Sequence, residues 1–373
     1  MHAPLLLLSA ATGTGHLRAA AAVRQGLAVH APDLAVEEVE LLSIAPRWVR
    51  AFYGSMFEAV VTRAPKVWGG IYRMTDGYEQ DHARWGPLAR RLLFAEFRRL
   101  LMSRPWSACV STHFLPCQLA AARPGFPRFG LVVTDFEMHR VWAQPAVDRC
   151  FVATDTLGHE LARRVPGARV HATGIPISPA FTAAPSRADA RAELGLSMDR
   201  PIVLVMGGGL GIGVEEAVAA ALDAADPAVQ IVAVCGRNEG ARIRLASCGA
   251  HPERLRVFGE VRGMERFIAA ADVVATKPGG LTVSETLALG KPLLLTRPIP
   301  GAEEGNLRAV VAEGAALGAF TDAEMRQAFA AAFESPAVLE RLSTQARRIG
   351  RPDSARAIAE IIHREYGPRA ALA

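Results

Sequence analysis

The chain has 373 residues, of which 50% are hydrophobic and 21% are charged, and its formal net charge at pH 7 is +5. This length exceeds one ordinary hydrophobic core and predicts two domains. The cysteines are odd in number and form no CxxC pair, so we expect neither zinc nor a disulfide framework, and a reducing cytosol is favoured. No run of 18 apolar residues occurs, so no transmembrane helix is predicted.

The apolar start of the chain resembles a signal peptide. It lacks a basic n-region and its apolar run is shorter than the roughly 7–15 residues expected, so we interpret it as a buried strand. Leu5–Ala10 is that strand, Gly13–His16 a glycine turn, Leu17–His30 an Ala-rich helix and Leu34–Leu41 a second strand.

Strand patterns resume after residue 104 and alternate with helices, which predicts a parallel, doubly wound sheet. These strands are Ala108–Ser111, Gly130–Thr134, Arg149–Ala153 and Val170–Thr173. A Pro-rich polar interval, Ile175–Arg187, then resembles an interdomain linker.

The second half again opens with a strand (Ile202–Met206), a glycine turn (Gly207–Gly213) and a helix from Val214. Further strands are predicted at Gln230–Cys235, Leu255–Phe258, Val273–Thr276 and Pro292–Thr296, and amphipathic helices follow from Asp322. We therefore predict an α/β protein with two Rossmann-like, doubly wound domains, 1–180 and 181–345, facing across a cleft. The helices of 346–373 are expected to cross back to the first domain.

Two strand ends in the second half have the pattern of a ligand site. One leads into the turn Pro278–Gly280 and a helix carrying Glu285; the next leads into a Pro/Gly loop with Glu303, Glu304 and Asn306. Open α/β sheets bind ligands at such strand ends. Free N–H groups at the glycine turn suit an anion, and a carboxylate one turn into the helix can accept two ribose hydroxyls. The pattern predicts a nucleotide-sugar site.

The loop Gly207–Gly213 lacks the Lys-Ser/Thr of a P-loop. Its glycines would let the backbone approach a diphosphate, and the helix start would add partial positive charge. A tight strand–helix turn is the alternative interpretation.

The turn Gly13–His16 resembles the start of a dinucleotide fingerprint, so an NAD(P) site is one interpretation. Arg18, however, stands where G-x-G-x-x-G requires its third glycine. His16 can titrate near neutrality and, as a general base, would take a proton from an attacking hydroxyl. The alternative is a histidine that caps the helix or contacts phosphate.

Asp135 follows a predicted strand and could serve as the base or orient His16; a helix N-cap is the alternative. His139 and Trp142 are spaced i, i+3, so they could share a helix face beside an acceptor. Core packing is the ordinary role for such a tryptophan.

The basic excess of the chain lies between Arg47 and Arg104, which holds eleven Lys/Arg and five Asp/Glu. Trp48, Trp68 and Trp85 are interleaved with these charges. This composition is typical of an anchor on an anionic membrane surface. A solvated helix face is the alternative, and no motif supports nucleic-acid binding.

Several stretches occur together in one order: Ser9–His16, 134–142, 147–154, 173–181, 205–211, Cys235–Asn238, Thr276–Thr282 and Pro298–Asn306. In these residues the chain resembles the monogalactosyldiacylglycerol synthases and processive diacylglycerol glucosyltransferases, which are family 28 type glycosyltransferases. The resemblance implies a GT-B fold, an inverting mechanism and a UDP-glucose or UDP-galactose donor bound by the C-terminal domain. It implies no metal or other cofactor. It also implies a diacylglycerol-like acceptor, met by a cytoplasmic, peripheral enzyme at the inner face of the cell membrane.

The resemblance also implies roles by position. Glu285 would bind the ribose and the backbone near Val261 the uracil; Glu303 and Asn306 would meet the sugar, and His16 would be the base. Gly15, Gly208 and Gly209 would face the diphosphate. The expected substrate-binding residues are Gly13, Thr14, Gly15, Gly208, Gly209, Arg237, Val261, Gly279, Gly280, Leu281, Thr282, Ser284, Glu285, Glu303, Glu304 and Asn306.

Ala302 is one departure, because the family loop reads Pro-Gly-Gln-Glu-Glu and the glutamine is missing here. The hexose therefore stays open. The alternatives are a muramyl-lipid N-acetylglucosaminyltransferase, whose loop has paired glutamines, an oxidoreductase, and a UDP-sugar sensor without turnover.

Overall fold

The computed structural model describes residues 3–11, 13–51, 60, 64–77, 95–120, 128–249 and 253–368. The chain divides into two compact units. Unit 1 comprises Met1–Pro179, Pro300–Ala302 and Asp353–Ala373, and unit 2 comprises Ala180–Ile299 and Glu303–Pro352. The last segment therefore begins at Asp353 and not at 346, because 346 lies inside the helix Pro336–Ile349.

The described sheet of unit 1 is parallel, with strand order β2-β1-β3-β4-β5-β6. Its strands are β1 Leu5–Ser9, β2 Val36–Glu40, β3 Ala108–Ser111, β4 Phe129–Val132, β5 Val147–Phe151 and β6 Arg169–His171. β1 is buried along its whole length. That is what an inner strand of a doubly wound sheet requires, and it explains the leucine run at the start of the chain.

The described helices of unit 1 are α1 Thr14–His30, α2 Arg47–Ala51, α3 Pro65–Gly77, α4 Ala95–Met102, α5 Phe114–Ala120, α6 Asp155–Arg164 and, at the C-terminus, α15 Ser354–Tyr366. Three of them, α2 to α4, lie in the basic segment 47–104, and Trp85 of that segment lies outside the described residues. No helix in the described ranges is long and apolar enough to cross a bilayer.

The described sheet of unit 2 is also parallel, with strand order β12-β11-β10-β7-β8-β9. Its strands are β7 Ile202–Met206, β8 Gln230–Val234, β9 Leu255–Phe258, β10 Val273–Thr276, β11 Leu293–Thr296 and β12 Ala316–Ala319. The helices are α7 Arg187–Leu194, α8 Val214–Ala224, α9 Glu239–Ala246, α10 Met264–Ala270, α11 Gly280–Ala288, α12 Ala302–Ala312, α13 Asp322–Ala332 and α14 Pro336–Ile349. The prediction of two Rossmann-like, doubly wound domains is confirmed.

One local prediction was wrong: Glu303, Glu304 and Asn306 lie in the first turns of α12 and not in a loop. Glu303 and Glu304 favour this early start, because carboxylates at a helix N-terminus interact well with the helix dipole.

The C-terminal helix completes unit 1 by packing on α1. Leu27 of α1 and Ile358 and Ile362 of α15 are buried in one core cluster with two leucines of β1, Leu5 and Leu7. Gly26 permits the close approach, because a Cβ there would lie 2.5 Å from the Ala355 carbonyl oxygen.

Replacing Gly26 by alanine should destabilise unit 1 by about 1–3 kcal/mol, because the added methyl has to push α15 away. Gly167→Ala is the matched control, since its Cβ would meet nothing within 4 Å. Urea unfolding of both variants measures the difference. Equal stabilities would contradict the packing described for α1 and α15.

Candidate functional site

In unit 1 the site begins at the turn between β1 and α1. Gly13 is the N-cap of α1 with a φ of 104°, and no side chain caps the helix. The first turn also contains no acidic residue. Its backbone N–H groups and the positive end of the helix dipole are therefore suited to an anion. Thr14 is exposed at this end, and Gly15 follows it.

His16, two residues into α1, is partly exposed, and its ring is held in one orientation. Its Nδ1 lies 2.8 Å from the carbonyl oxygen of Thr112 and 3.2 Å from Oγ1 of Thr134. A carbonyl oxygen only accepts hydrogen bonds, so Nδ1 carries the proton. The neutral ring then has its lone pair on Nε2, which is the arrangement that a general base needs.

The surroundings of His16 favour its neutral form. Burial lowers the pKa of His16 below 6.5, while the hydrogen bond to Thr112 and the charge of Asp135 act in the opposite direction. The imidazole is consequently neutral at pH 7 and able to accept a proton.

Asp135 acts on His16 through its charge, whereas the hydrogen bonds of the His16 ring go to Thr112 and Thr134 within the described residues. The carboxylate accepts a hydrogen bond from Nε1 of Trp142 over 3.0 Å, which fixes Oδ2. This geometry suits electrostatic support of His16 by Asp135, and the predicted roles of base or orienting group stay predictions.

His139 and Trp142 do not share an α-helical face, because Arg140–Trp142 is a short 3-10 turn with His139 as its N-cap. Both side chains are buried. Nδ1 of His139 accepts a hydrogen bond from the Val141 amide, so Nε2 donates to the carbonyl oxygen of Tyr72 at 3.2 Å. The Trp142 ring lies 6.4 Å from the His16 ring, centroid to centroid. Trp142 thus supports the site around His16 and Asp135 from within unit 1, whereas His139 contacts Tyr72 and Val141.

His113 is a site residue that the sequence did not single out. Its ring packs edge-on against His16 with the centroids 4.6 Å apart. Nδ1 accepts a hydrogen bond from the Leu115 amide, and burial holds the pKa of His113 well below 6.5, so it stays neutral. The available signal was its place just after β3, at the same sheet edge as His16 and Asp135.

In unit 2, the loop after β7 contains a 3-10 turn, Gly208–Leu210, and packs on the turn after β8. A Cβ on Gly211 would lie 2.1 Å from the Cys235 carbonyl oxygen, so packing alone requires this glycine. Gly208 has a φ of 67°, and a Cβ added there would meet nothing within 4 Å, so the space beside its backbone is open. Exposed Arg237 donates its backbone N–H to the Gly209 carbonyl oxygen at 3.0 Å.

Two helix starts in unit 2 differ in their suitability for an anion. The first turn of α8 already holds Glu215 and Glu216, which pair with Arg244 and Arg297. The N-terminus of α11, at Gly279 and Gly280, has neither an acid in its first turn nor a side-chain cap. The start of α11 therefore carries no acid of its own, and we regard it as the better phosphate site of the two.

The remaining predicted residues of unit 2 lie on or near α11 and α12. Thr282 is partly exposed on α11, while Leu281, Ser284 and Glu285 are buried, Glu285 almost completely. Val261, between β9 and α10, is partly exposed.

Glu303 and Asn306 are both oriented by hydrogen bonds, and Glu304 beside them is partly exposed. Lys277 and the Ile299 amide bind the Glu303 carboxylate. Asn306 is buried and donates its side-chain amide to the Pro278 carbonyl oxygen. Among the described residues no cluster of three or more His, Cys, Asp or Glu side chains is arranged to hold a metal ion.

Residues 16–177 match the family model for monogalactosyldiacylglycerol (MGDG) synthase, and residues 202–322 match the glycosyltransferase family 28 C-terminal domain. In both of its units the chain therefore resembles glycosyltransferases of the family 28 type. It is 36% identical over 190 residues to the processive diacylglycerol beta-glucosyltransferase of Bacillus pumilus, covering 50% of this chain and 49% of the relative. For the Bacillus subtilis protein of the same name the identity is 30% over 238 residues, 63% and 62% of the two chains. The chain thus spans about half to three fifths of these relatives.

Solved structures with the same fold cover nearly all of the chain. MurG of Acinetobacter baumannii is 16% identical, with a TM-score of 0.59 over 97% of this chain and 99% of MurG. The UDP complex of MnaA from S. aureus is 13% identical, with a TM-score of 0.62 over 99% and 98%. At such identities the likeness concerns the fold alone, and the GT-B prediction is confirmed at that level.

Gly15→Ala tests whether the space beside α1 belongs to a ligand. A Cβ on Gly15 would meet nothing within 4 Å, and its φ is ordinary, so the fold should tolerate alanine. We expect an unchanged melting temperature but a roughly tenfold weaker affinity for UDP, because the methyl would occupy the space expected to hold the diphosphate. Gly167→Ala should leave both quantities unchanged. An unchanged affinity of Gly15→Ala for UDP would remove Gly15 from the ligand site.

Proposed function

We propose that the chain is an inverting glycosyltransferase that moves glucose or galactose from a UDP-sugar to diacylglycerol or a related lipid, forming a β-glycolipid. The observation that carries the proposal is His16, whose Nδ1–H···O=C bond to Thr112 leaves the Nε2 lone pair for an acceptor hydroxyl. The relatives named as diacylglycerol beta-glucosyltransferases support the acceptor class.

In the proposed reaction, Nε2 of His16 takes the proton of the acceptor hydroxyl as its oxygen attacks the anomeric carbon of the donor. The new carbon–oxygen bond forms on the face opposite UDP, so a UDP-α-sugar gives a β-glycoside. The bond from the anomeric carbon to the diphosphate breaks, and UDP leaves with the electron pair. Asp135 stabilises the imidazolium that forms, because its charge raises the pKa of His16.

The leaving diphosphate needs compensation of its negative charge. The uncapped N-terminus of α11 is the proposed binding point in unit 2, together with the backbone beside Gly208. Fixed backbone dipoles stabilise charge that develops in a transition state without having to reorganise. We therefore propose that transfer needs neither a metal ion nor another cofactor, and that excess EDTA leaves the rate unchanged.

We propose that unit 1 binds an anionic lipid surface at the inner face of the cell membrane through its basic helices. On α3, Lys66 and Arg73 are exposed cations spaced by two helical turns, and Val67 and Met74 beside them are 59% and 60% exposed. Trp48 on α2 is 63% exposed next to Arg47. Adjacent basic and apolar stripes are what an interfacial helix presents to lipid.

His16→Ala should lower transfer by about 10²- to 10⁴-fold, because it removes the general base. The measurement is mass analysis of the glycolipids formed from UDP-glucose or UDP-galactose and diacylglycerol in anionic vesicles. In the wild type, kcat/KM should be constant near pH 7 and fall as the pH drops through a value below 6.5, where His16 becomes protonated.

The control is His30→Ala, since His30 is an exposed histidine in the last turn of the same helix. It should retain wild-type transfer and the same pH profile. Wild-type protein that binds UDP-sugar but forms no glycolipid would contradict the proposed function and favour a UDP-sugar sensor without turnover. Near-normal transfer by His16→Ala would disprove only the role of His16 as the general base.

Reversing two charges on α3, Lys66→Glu with Arg73→Glu, should abolish flotation with vesicles rich in anionic phospholipid, since each basic residue contributes about 1 kcal/mol near such a surface. Flotation in a density gradient measures this. Met198→Ser, which changes a 53% exposed apolar residue of unit 2, should float like the wild type. Unchanged flotation of the charge-reversed variant would exclude α3 from the lipid surface.

A further inference from the structure

The carboxylate of Glu303 is fixed at both of its oxygens. Nζ of Lys277 donates to Oε1 at 3.1 Å, and the backbone N–H of Ile299 donates to Oε2 at 2.8 Å. The side chains of Lys277 and Glu303 are only 14% and 16% exposed. These two donors, one charged and one from the backbone, hold the partly buried carboxylate in one orientation. A glutamate on a solvated helix face has no such restriction.

A second contact ties the same helix turn to the same loop. Asn306, one turn further along α12, donates its amide to the Pro278 carbonyl oxygen at 3.1 Å. A Cβ on Gly279 would lie 3.9 Å from Oε1 of Glu303, so the loop backbone passes beside the carboxylate. Glu303 is thereby held next to the start of α11, where the proposed diphosphate site lies.

The Glu303 carboxylate can accept more hydrogen bonds than the two that it receives from Lys277 and Ile299. An ionised carboxylate offers about four lone-pair sites. Lys277 and Ile299 occupy two of them, one on each oxygen, in the described part of the chain. One site per oxygen remains, and two such sites side by side match two hydroxyls on adjacent carbons of a sugar ring.

Backbone strain accompanies this arrangement. Arg297, at the end of β11, has a φ of 45° and is the one non-glycine residue with positive φ among those described. Its guanidinium is held by Asp322 and Glu216. A strained backbone of this kind persists only where surrounding contacts hold it in place, and such positions are often found at functional sites. Here the kink comes just before the Ile299 amide that binds Glu303.

We infer that Lys277 is a positioning residue for the donor sugar: it holds the Glu303 carboxylate so that both oxygens accept neighbouring hydroxyls of the hexose. The inference rests on the proposed UDP-sugar site. Lys277 acts through Glu303 and not on the nucleotide, so its loss affects the sugar part of the donor selectively.

The experiment compares UDP with UDP-glucose and UDP-galactose by calorimetry, in the wild type and in Lys277→Met. We expect Kd for UDP to change less than twofold. The ratio of Kd for the preferred UDP-hexose to Kd for UDP should rise about tenfold, which corresponds to roughly 1.4 kcal/mol. Lys277→Arg, which keeps a cationic donor, should restore most of the ratio.

The matched control is Arg200→Met, which removes a cation that pairs with Glu253 next to the amino end of β7. It should leave both Kd values unchanged. Thermal unfolding checks the fold of each variant. If Lys277→Met does not fold, Lys277→Gln replaces it and should raise the ratio less, because its amide still donates one hydrogen bond.

A comparison of Glu303→Gln with the double variant Glu303→Gln/Lys277→Met shows whether Lys277 acts through Glu303. The double variant should be no worse than Glu303→Gln alone, because Lys277 has nothing left to position. An unchanged ratio in Lys277→Met, a parallel loss of UDP affinity, or additive effects in the double variant would each overturn the inference. Wild-type protein that binds neither UDP nor a UDP-hexose would overturn the proposed function itself.

Discussion

Parallel strand pairing is the constraint on which both candidate sites depend. In unit 1, β1 pairs with β3 and β3 with β4, so the carboxyl ends of all three strands lie at one edge of the sheet. His16, Thr112 and Thr134 each follow one of these strands, and only this pairing brings them within hydrogen-bonding distance. The tautomer of His16, and hence its capacity to act as a base, is a consequence of sheet register.

The same constraint operates in unit 2, where β7 pairs with β8 and with β10, and β10 with β11. The loops that leave these strands pack on one another, and their glycines serve two different purposes. Gly211 is required because the loops approach too closely for any Cβ, whereas Gly208 faces open space. The two helix starts also differ in charge: the first turn of α8 contains two acids, and the first turn of α11 contains none.

Much of the fold and part of the site could be predicted from the sequence. Strand–glycine–helix repeats gave both parallel sheets and identified the strand ends that carry His16, Asp135 and the Pro278–Gly280 turn. The helix containing Glu303 was missed, because Pro and Gly in the preceding residues indicate a loop while helix initiation depends on the first turn. His113 was missed because a lone histidine after a strand has no motif, and only its contact with His16 gives it a role.

The sequence by itself determined most of the strands, their order and the residue types at the strand ends, because these depend on local hydrophobic periodicity and turn chemistry. Tertiary structure alone decided which nitrogen of His16 carries the proton, that Trp142 holds Asp135, and that Lys277 and Ile299 hold Glu303. Each of these is a contact between residues on different elements, with a geometry set by how the elements pack. No local pattern encodes such a distance.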